Sequence, residues 1–169
     1  PGRRVNKLRR CIDKAESLFA CAICWPWFVP GFHKANCTRP DMTAGSHPRQ
    51  FLFLQGPTNF LFADVANRLR ERGHTAHRIN VCPGDQIFWR GPGAVNFRDR
   101  WRLWPDFIEA FLDKHSITDI VLLGEQRDLH RVAIAAAKAR NITVTVTDFG
   151  YIRPDWVIVE LNGMNADSL

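Results

Sequence analysis

Three features are missing from the sequence. It contains no run of eighteen or more apolar residues, so we predict no membrane-spanning helix. It also contains neither G-x-G-x-x-G nor G-x-x-x-x-G-K-S/T, the glycine-rich motifs that hold the phosphates of nucleotides. A nicotinamide-dependent dehydrogenase and a P-loop nucleotide hydrolase are therefore disfavoured.

Cysteine is scarce in most of the chain. Of the five cysteines, four precede residue 50 and only Cys82 follows it. The larger part of the chain is therefore predicted to be a reduced, cytosolic domain without disulfide bonds. Cys21 and Cys24 have the C-x-x-C spacing of zinc ligands, but a second, equally spaced pair is missing. We therefore predict no metal site.

Acidic residues are scarce only at the start of the chain. Residues 1–50 hold nine of the 23 Lys and Arg residues and three of the 17 Asp and Glu residues, which leaves fourteen of each for the rest. The formal charge of +6 thus belongs to the first segment, and the neutral remainder argues against a nucleic-acid partner. We predict that residues 1–48 are an extension, either disordered or upstream of a true start at Met42. The domain is predicted to span residues 49–169.

From residue 51 onwards the apolar pattern alternates between strands and helices. A continuous apolar run predicts a strand buried on both faces at residues 51–54, and Gly73 is placed to end the following helix in the left-handed conformation. The predicted elements are strands at residues 51–54, 75–81, 118–123 and 142–146 and helices at residues 60–69, 101–115 and 129–140. Repeated strand–helix–strand units predict an α/β fold with a Rossmann-like, doubly wound parallel sheet.

Ligands of such sheets collect at the carboxyl ends of the strands. The loop after the first strand supplies Gly56 and Asn59, and the loop after the third supplies Gly124 and Arg127. His130 follows on the first turn of the next helix, either in the cleft or on the surface. We predict that these five residues bind substrate; the alternative is that the two glycines only form turns.

The loop after the fourth strand is rich in polar and aromatic residues. Its candidates are Asp148, Gly150, Tyr151, Arg153 and Asp155. A simple connection needs no such chemistry, and active sites are often built from loops of this kind. Glu160 then closes an apolar run, where a carboxylate is either paired, at a strand end, or used in chemistry.

These residues resemble those of a known family. The similar blocks are Gly150-Tyr151-Ile152-Arg153-Pro154-Asp155-Trp156, Arg78-Ile79-Asn80 with Gly84-Asp85 and Phe88-Trp89, and Asn162-Gly163-Met164-Asn165-Ala166. They are similar to blocks of the capsular polysaccharide biosynthesis and export proteins of the β-Kdo transferase type, N-terminal portion only. The chain departs from that family at Phe149, because the family usually has two acidic residues before the Gly-Tyr pair and this chain keeps only Asp148.

The resemblance implies that the chain is one half of a GT-B glycosyltransferase. Such an enzyme transfers Kdo from CMP-Kdo to a phosphatidylglycerol-type lipid at the cytoplasmic face of the bacterial inner membrane, and its partners are the capsule assembly and export machinery. No cofactor and no catalytic metal are implied. CMP-Kdo would be bound mainly by a C-terminal half beyond residue 169, so we expect the chain alone to be inactive. The alternative is a non-catalytic, truncated α/β module.

Transfer of a ketosidic sugar passes through an oxocarbenium-like state. A carboxylate can stabilise that state, trap it as a nucleophile, or deprotonate the acceptor hydroxyl. Glu160 is the first candidate for this role, and Asp148 and Asp155 are the alternatives. Arg153 is expected to bind the sugar carboxylate or an acceptor phosphate, unless it pairs with Asp155 to hold the loop. The substrate-binding residues implied by the resemblance also include Gly150, Tyr151 and Asn165.

Overall fold

The computed structural model describes residues 47–89, 91–150 and 156–164. Backbone contacts divide the chain into residues 1–48 and residues 49–169, and the elements below belong to the second unit. The predicted extension falls almost wholly outside the described residues. In chain order the elements are β1 (Gln50–Phe53), α1 (Leu61–Glu71), β2 (Thr75–Asn80), α2 (Pro83–Ile87), β3 (Ala94–Asn96), a 3₁₀ turn (Trp101–Leu103), α3 (Trp104–Lys114), β4 (Asp119–Leu123), α4 (Asp128–Lys138), β5 (Thr143–Phe149) and β6 (Val157–Leu161).

The six described strands form one sheet in the order β3-β2-β1-β4-β5-β6. Strands β1 to β5 all run parallel to one another, and β6 runs antiparallel beside β5. After β1, the chain places β2 and β3 on one side of it. The next strand, β4, then lies on the other side of β1. The topological switch therefore falls between β1 and β4. The predicted α/β fold is confirmed, with a mostly parallel sheet in a Rossmann-like strand order.

Strand β1 is buried on both faces, as its continuous apolar run predicts. Phe51 and Phe53 point to one face, where the ring centroid of Phe53 lies 5.5 Å from that of Phe62 in α1. Leu52 and Leu54 point to the other face and join a core that includes side chains of α3 and α4. Because neighbouring residues of a strand face opposite ways, an uninterrupted apolar run requires helices on both sides of the sheet.

Two helix boundaries illustrate the local chemistry. Helix α1 is followed by Gly73, whose φ of +85° lies in the left-handed region, as predicted. The helix predicted from residue 101 begins only at Trp104, because residues 101–103 form the 3₁₀ turn and Pro105 occupies the first turn of α3. Among the described helices, none is both long and apolar enough to cross a bilayer.

Three elements differ from the sequence prediction. Strand β3 is exposed at all three positions and α2 is only five residues long, so neither has an apolar period that could be recognised. The prediction of a wholly parallel sheet is wrong at β6, where Val157 pairs with Phe149 and Leu161 with Thr145 in an antiparallel ladder. Only seven residues separate β5 from β6, too few for the crossover that a parallel strand needs.

Candidate functional site

A depression opens at the carboxyl ends of β4 and β5. Its volume is about 550 Å³. The walls come from the end of β4 and the turn after it, from the end of β5, and from the segment after β6. The lining residues are Leu123, Gly124, Glu125, Gln126, Arg127, Asp148, Phe149 and Met164. The depression thus lies at the sheet edge where parallel α/β sheets bind ligands, close to the switch between β1 and β4.

Gly124 shapes the turn after β4. Its φ of +66° lies in the left-handed region, where a side chain would be strained. Its N–H donates to the carbonyl of Thr147 at 2.9 Å, and the Thr147 hydroxyl donates to the carbonyl of Leu122 at 3.0 Å. These bonds tie the turn to the end of β5. The turn therefore stands at a fixed position beside Asp148.

Arg127 supplies the positive charge of the depression. It is the residue that precedes α4, and its guanidinium donates to the side-chain oxygen of Gln55, two residues beyond β1. This bond joins the loops on the two sides of the switch point. The N-terminus of α4 adds a partial positive charge at the same place, so this wall of the depression favours anions.

Two carboxylates line the depression. Asp148 is exposed near the end of β5, and its Oδ1 accepts the N–H of Phe149 at 2.7 Å. Oε2 of Glu125 accepts the N–H of Met164 at 3.1 Å, after the chain has turned at Asn162 with a φ of +63°. Glu125 therefore holds the segment after β6 beside the depression, while Asp148 remains open to a ligand.

His130 lies beneath the turn and is fully buried, with 0% of its surface exposed. Its Nδ1 is 2.6 Å from the carbonyl oxygen of Gly124, and because a carbonyl only accepts, Nδ1 carries the proton. Nε2 is then a buried acceptor without a hydrogen-bond partner among the described residues. Burial lowers the pKa of His130 from 6.5 to about 4, although the Gly124 bond acts in the opposite direction. Both predicted locations, cleft and surface, are wrong: His130 supports the turn from inside the core.

A second buried group fixes the neighbouring edge of the sheet. Arg78 in β2 donates to the carbonyl of Leu54 at 2.5 Å and to Oδ1 of Asp85 at 3.1 Å. Oδ2 of Asp85 accepts the N–H groups of the two residues after β2, at 2.9 and 3.1 Å. Burial lowers the pKa of the Arg78 guanidinium and Asp85 raises it, and the group stays charged because it is so strongly basic. This pair therefore holds the end of β1, where the loop with Gln55 begins.

Three of the residues predicted to bind substrate make contacts within the protein that explain why these residue types stand there, without any ligand. A Cβ on Gly56 would lie 2.5 Å from the ring of Phe62, so this glycine allows α1 to pack closely. Oδ1 of Asn59 accepts the N–H of the first residue of α1 at 3.0 Å. Gly150 donates to the carbonyl of Trp156 at 2.8 Å, and a Cβ there would lie 2.5 Å from Cβ of Trp156. All three shape loops, whereas Gly124 and Arg127 line the depression.

The carboxylates predicted to be catalytic lie in different places. Asp148 lines the depression. Glu160 pairs with Val146 in the β5–β6 ladder, on the same sheet face as Asp148 but two strand positions, about 7 Å, further from the carboxyl edge. Ligands are expected at the carboxyl ends of the parallel strands, and Asp148 lies there. Because β6 is antiparallel, its own end, which holds Glu160, points towards the opposite edge of the sheet. The remaining predicted residues, Asp155, Tyr151, Arg153 and Asn165, lie outside the described residues.

Three polar residues of the site, Gln55, Glu125 and Gln126, were not singled out from the sequence. They stand within three residues of the ends of β1 and β4, and position at a strand end is the signal that could have found them. Among the residues that the structure describes, no three His, Cys, Asp or Glu side chains are grouped so that they could hold a metal ion.

Fold and site together define a Rossmann-like α/β domain with a polar depression at the carboxyl edge of its sheet. Residues 118–169, from the start of β4 onwards, match the family described as capsule polysaccharide biosynthesis protein. At 30–32% identity over more than two thirds of its length, the chain belongs to the family of capsule polysaccharide modification and export proteins, which confirms the resemblance seen in the sequence.

Two relatives show how far the similarity extends. The chain is 32% identical over 119 residues to the capsule polysaccharide modification protein LipB of Neisseria meningitidis, covering 69% of this chain and 28% of LipB. It is 30% identical over 120 residues to the capsule polysaccharide export protein KpsS of Escherichia coli, covering 71% of this chain and 31% of KpsS. The chain thus spans less than a third of the length of these relatives.

Among solved structures, the chain is similar to the Methanococcus jannaschii fibrillarin pre-rRNA processing protein. The TM-score is 0.43 and the identity 12%, over 60% of this chain and 46% of that one. A likeness at this level carries no argument about fold or function.

Proposed function

We propose that the chain is one Rossmann-like half of a GT-B glycosyltransferase of capsule biosynthesis, which transfers Kdo from CMP-Kdo to a phosphatidylglycerol-type lipid. The observation that carries this proposal is the depression at the carboxyl ends of β4 and β5, which has both Asp148 and Arg127 in its wall. The homology to capsule polysaccharide modification and export proteins supports the capsule context.

The two charged groups have complementary roles in this chemistry. Asp148 is open to a ligand and is the first candidate to deprotonate the acceptor hydroxyl or to stabilise the oxocarbenium-like state. Glu160, on the same face of the sheet, is the second. Arg127 and the N-terminus of α4 suit an anion, either the sugar carboxylate or an acceptor phosphate. Donor binding is assigned mainly to a second domain, and no metal or cofactor is needed.

The proposal includes a location. The enzyme acts as a peripheral protein on the cytoplasmic face of the bacterial inner membrane, because its acceptor is a membrane lipid. Its partners there are the capsule assembly and export machinery.

A chimera tests the proposal. Residues 49–164 replace the matching segment of Escherichia coli KpsS, and release of CMP is measured with CMP-Kdo and phosphatidylglycerol, with mass spectrometry of the lipid product. We expect the chimera and intact KpsS to transfer Kdo and the 169-residue chain alone to be inactive. Absence of Kdo transfer by intact KpsS would contradict the proposed reaction.

The alternative, a non-catalytic α/β module, predicts a different result in the same assay. Intact KpsS would then be active, and the chimera would fold without turning over CMP-Kdo. The melting temperature of the chimera is measured beside turnover, so that an inactive but folded chimera is distinguished from a misfolded one.

A further inference from the structure

A six-residue segment follows β3 at the same edge of the sheet as the depression. Residues 98–103, here called the arginine–tryptophan segment, are all exposed. They comprise Arg98, Asp99, Arg100, Trp101, Arg102 and Leu103. Trp101 is 59% exposed and Leu103 is 43% exposed, so two large apolar side chains face solvent beside the arginines. Because parallel strands end at one edge, the segment and the depression face the same way.

The arginine–tryptophan segment is anchored at both ends. Phe97, which precedes it, is buried, and its ring centroid lies 5.8 Å from that of Trp101 and 5.1 Å from that of Trp104. Trp104, which follows it, is also buried, and its Nε1 donates to the carbonyl of Leu129 at 3.0 Å. Leu129 lies in the first turn of α4, next to the depression. The exposed side chains therefore project from a rigid base that is connected to the site.

The charges of the segment have no partners within the described part of the chain. None of its three arginines forms a salt bridge there, and the segment carries a net charge of +2. Free guanidinium groups bind phosphates, tryptophan prefers the boundary between headgroups and acyl chains, and leucine gains by leaving water. This combination matches the surface of an anionic bilayer.

We propose that the arginine–tryptophan segment is the surface by which the protein docks on an anionic lipid bilayer. Trp101 and Leu103 enter the headgroup boundary, and Arg98, Arg100 and Arg102 contact lipid phosphates. The inference rests on the proposed function only in its peripheral location, and it needs no particular reaction. A nucleic acid is a poorer match, because the exposed side chain of Leu103 would gain nothing by binding it.

Vesicle co-sedimentation of the full chain tests this surface, without any sugar nucleotide present. Vesicles of phosphatidylcholine alone are compared with vesicles that also contain phosphatidylglycerol or phosphatidylserine. We expect binding to both anionic mixtures, weaker at high salt. Arg100→Gln with Arg102→Gln should reduce binding by roughly 25-fold, at about fivefold for each charge. Trp101→Ala should reduce it by about tenfold.

The matched control is Lys114→Gln with Lys138→Gln. This pair removes the same charge from the C-terminal ends of α3 and α4, at the opposite edge of the sheet. The melting temperature of every variant is measured, and the arginine pair tests the surface even if Trp101→Ala does not fold. Equal losses in the control and the arginine variants, or binding that the segment variants leave unchanged, would overturn the proposal.

Two further outcomes separate this inference from the proposed reaction. Binding to phosphatidylglycerol vesicles alone, insensitive to the segment variants, would overturn the docking surface and leave the transferase proposal standing. Binding of a single-stranded oligonucleotide that depends on the arginines, without binding of vesicles, would also overturn it. Failure of Kdo transfer in the chimera has no bearing on vesicle binding.

Discussion

His130 should make the domain lose stability in mild acid. The buried imidazole has a pKa of about 4 in the folded protein, against an ordinary value of 6.5. Between these two values the unfolded chain binds a proton that the folded chain does not. The stability contributed by neutral His130 is therefore fully present above about pH 6.5 and is lost as the pH falls towards 4.

The size of the effect follows from the same two values. One pKa unit corresponds to about 1.4 kcal/mol, so the change from 6.5 to about 4 is worth about 3 kcal/mol of unfolding free energy. Desolvation is the main cause. Asp85 favours the charged imidazole, whereas Arg127 and Arg78 oppose it. A loss of this size is a large fraction of the roughly 5–15 kcal/mol that stabilises a domain.

Urea unfolding at about pH 7.5 and about pH 4.5 measures this loss. The variant His130→Asn removes the titration but keeps an N–H that can donate to Gly124. The parent should lose roughly 2–3 kcal/mol more than this variant, because most of the linkage falls within that interval. The quantity to compare is the difference between the losses of the parent and the variant. The loss of either protein alone also contains the contributions of His74 and His77, whose pKa values are lowered by burial too.

The control for this experiment is His47→Asn, which changes an exposed histidine. Its loss of stability in acid should match that of the parent. If the parent and His130→Asn lose the same free energy between the two pH values, His130 is not a buried neutral group, and its assigned role beneath the turn is refuted.

Two further predictions concern the carboxylates. In the chimera with KpsS, Asp148→Asn should lower turnover at least ~100-fold without changing the melting temperature, and Glu160→Gln should cost less, because Glu160 lies further from the edge. Turnover close to the parent value in Asp148→Asn would remove Asp148 from the mechanism. In urea unfolding, Asp85→Ala should cost roughly 3–5 kcal/mol, because Arg78 would be left charged and buried. Asp85→Leu with Arg78→Met should recover only the part due to the unpaired charge, because the two N–H groups after β2 still lose their acceptor. A cost below about 1 kcal/mol would mean that water reaches Arg78.

The central strands could be predicted because their sequence pattern is determined by burial. β1 and β4 lie in the middle of the sheet with helices on both faces, so nearly every residue is apolar and the run ends at a polar turn. Their parallel direction followed from the helices in the connections between strands. The direction of β6 could not be predicted in this way, because it depends on the length of the connection after β5 and not on an apolar pattern.

The site was predictable only in outline. Loops at the carboxyl ends of strands were expected, and the turn with Gly124 and Arg127 and the end of β5 at Asp148 do meet in the depression. The role of His130 was not predictable, because a histidine on a first helical turn can face the core, the cleft or solvent. Only the packing of α4 against the sheet decides between them. Nor does sequence spacing show that Arg78 and Asp85 form a buried pair.

The hydrogen bond from Trp104 to the carbonyl of Leu129 has a mechanical consequence. It connects Trp104, which directly follows the arginine–tryptophan segment, to the first turn of α4, and α4 carries His130 under Gly124. The arginine–tryptophan segment and the turn with Gly124 are therefore both tied to the first turn of α4. With the arginine–tryptophan segment docked on a bilayer as proposed, this connection would hold the mouth of the depression at one tilt and depth relative to the headgroups. For the proposed lipid acceptor, the search would then take place in two dimensions rather than three.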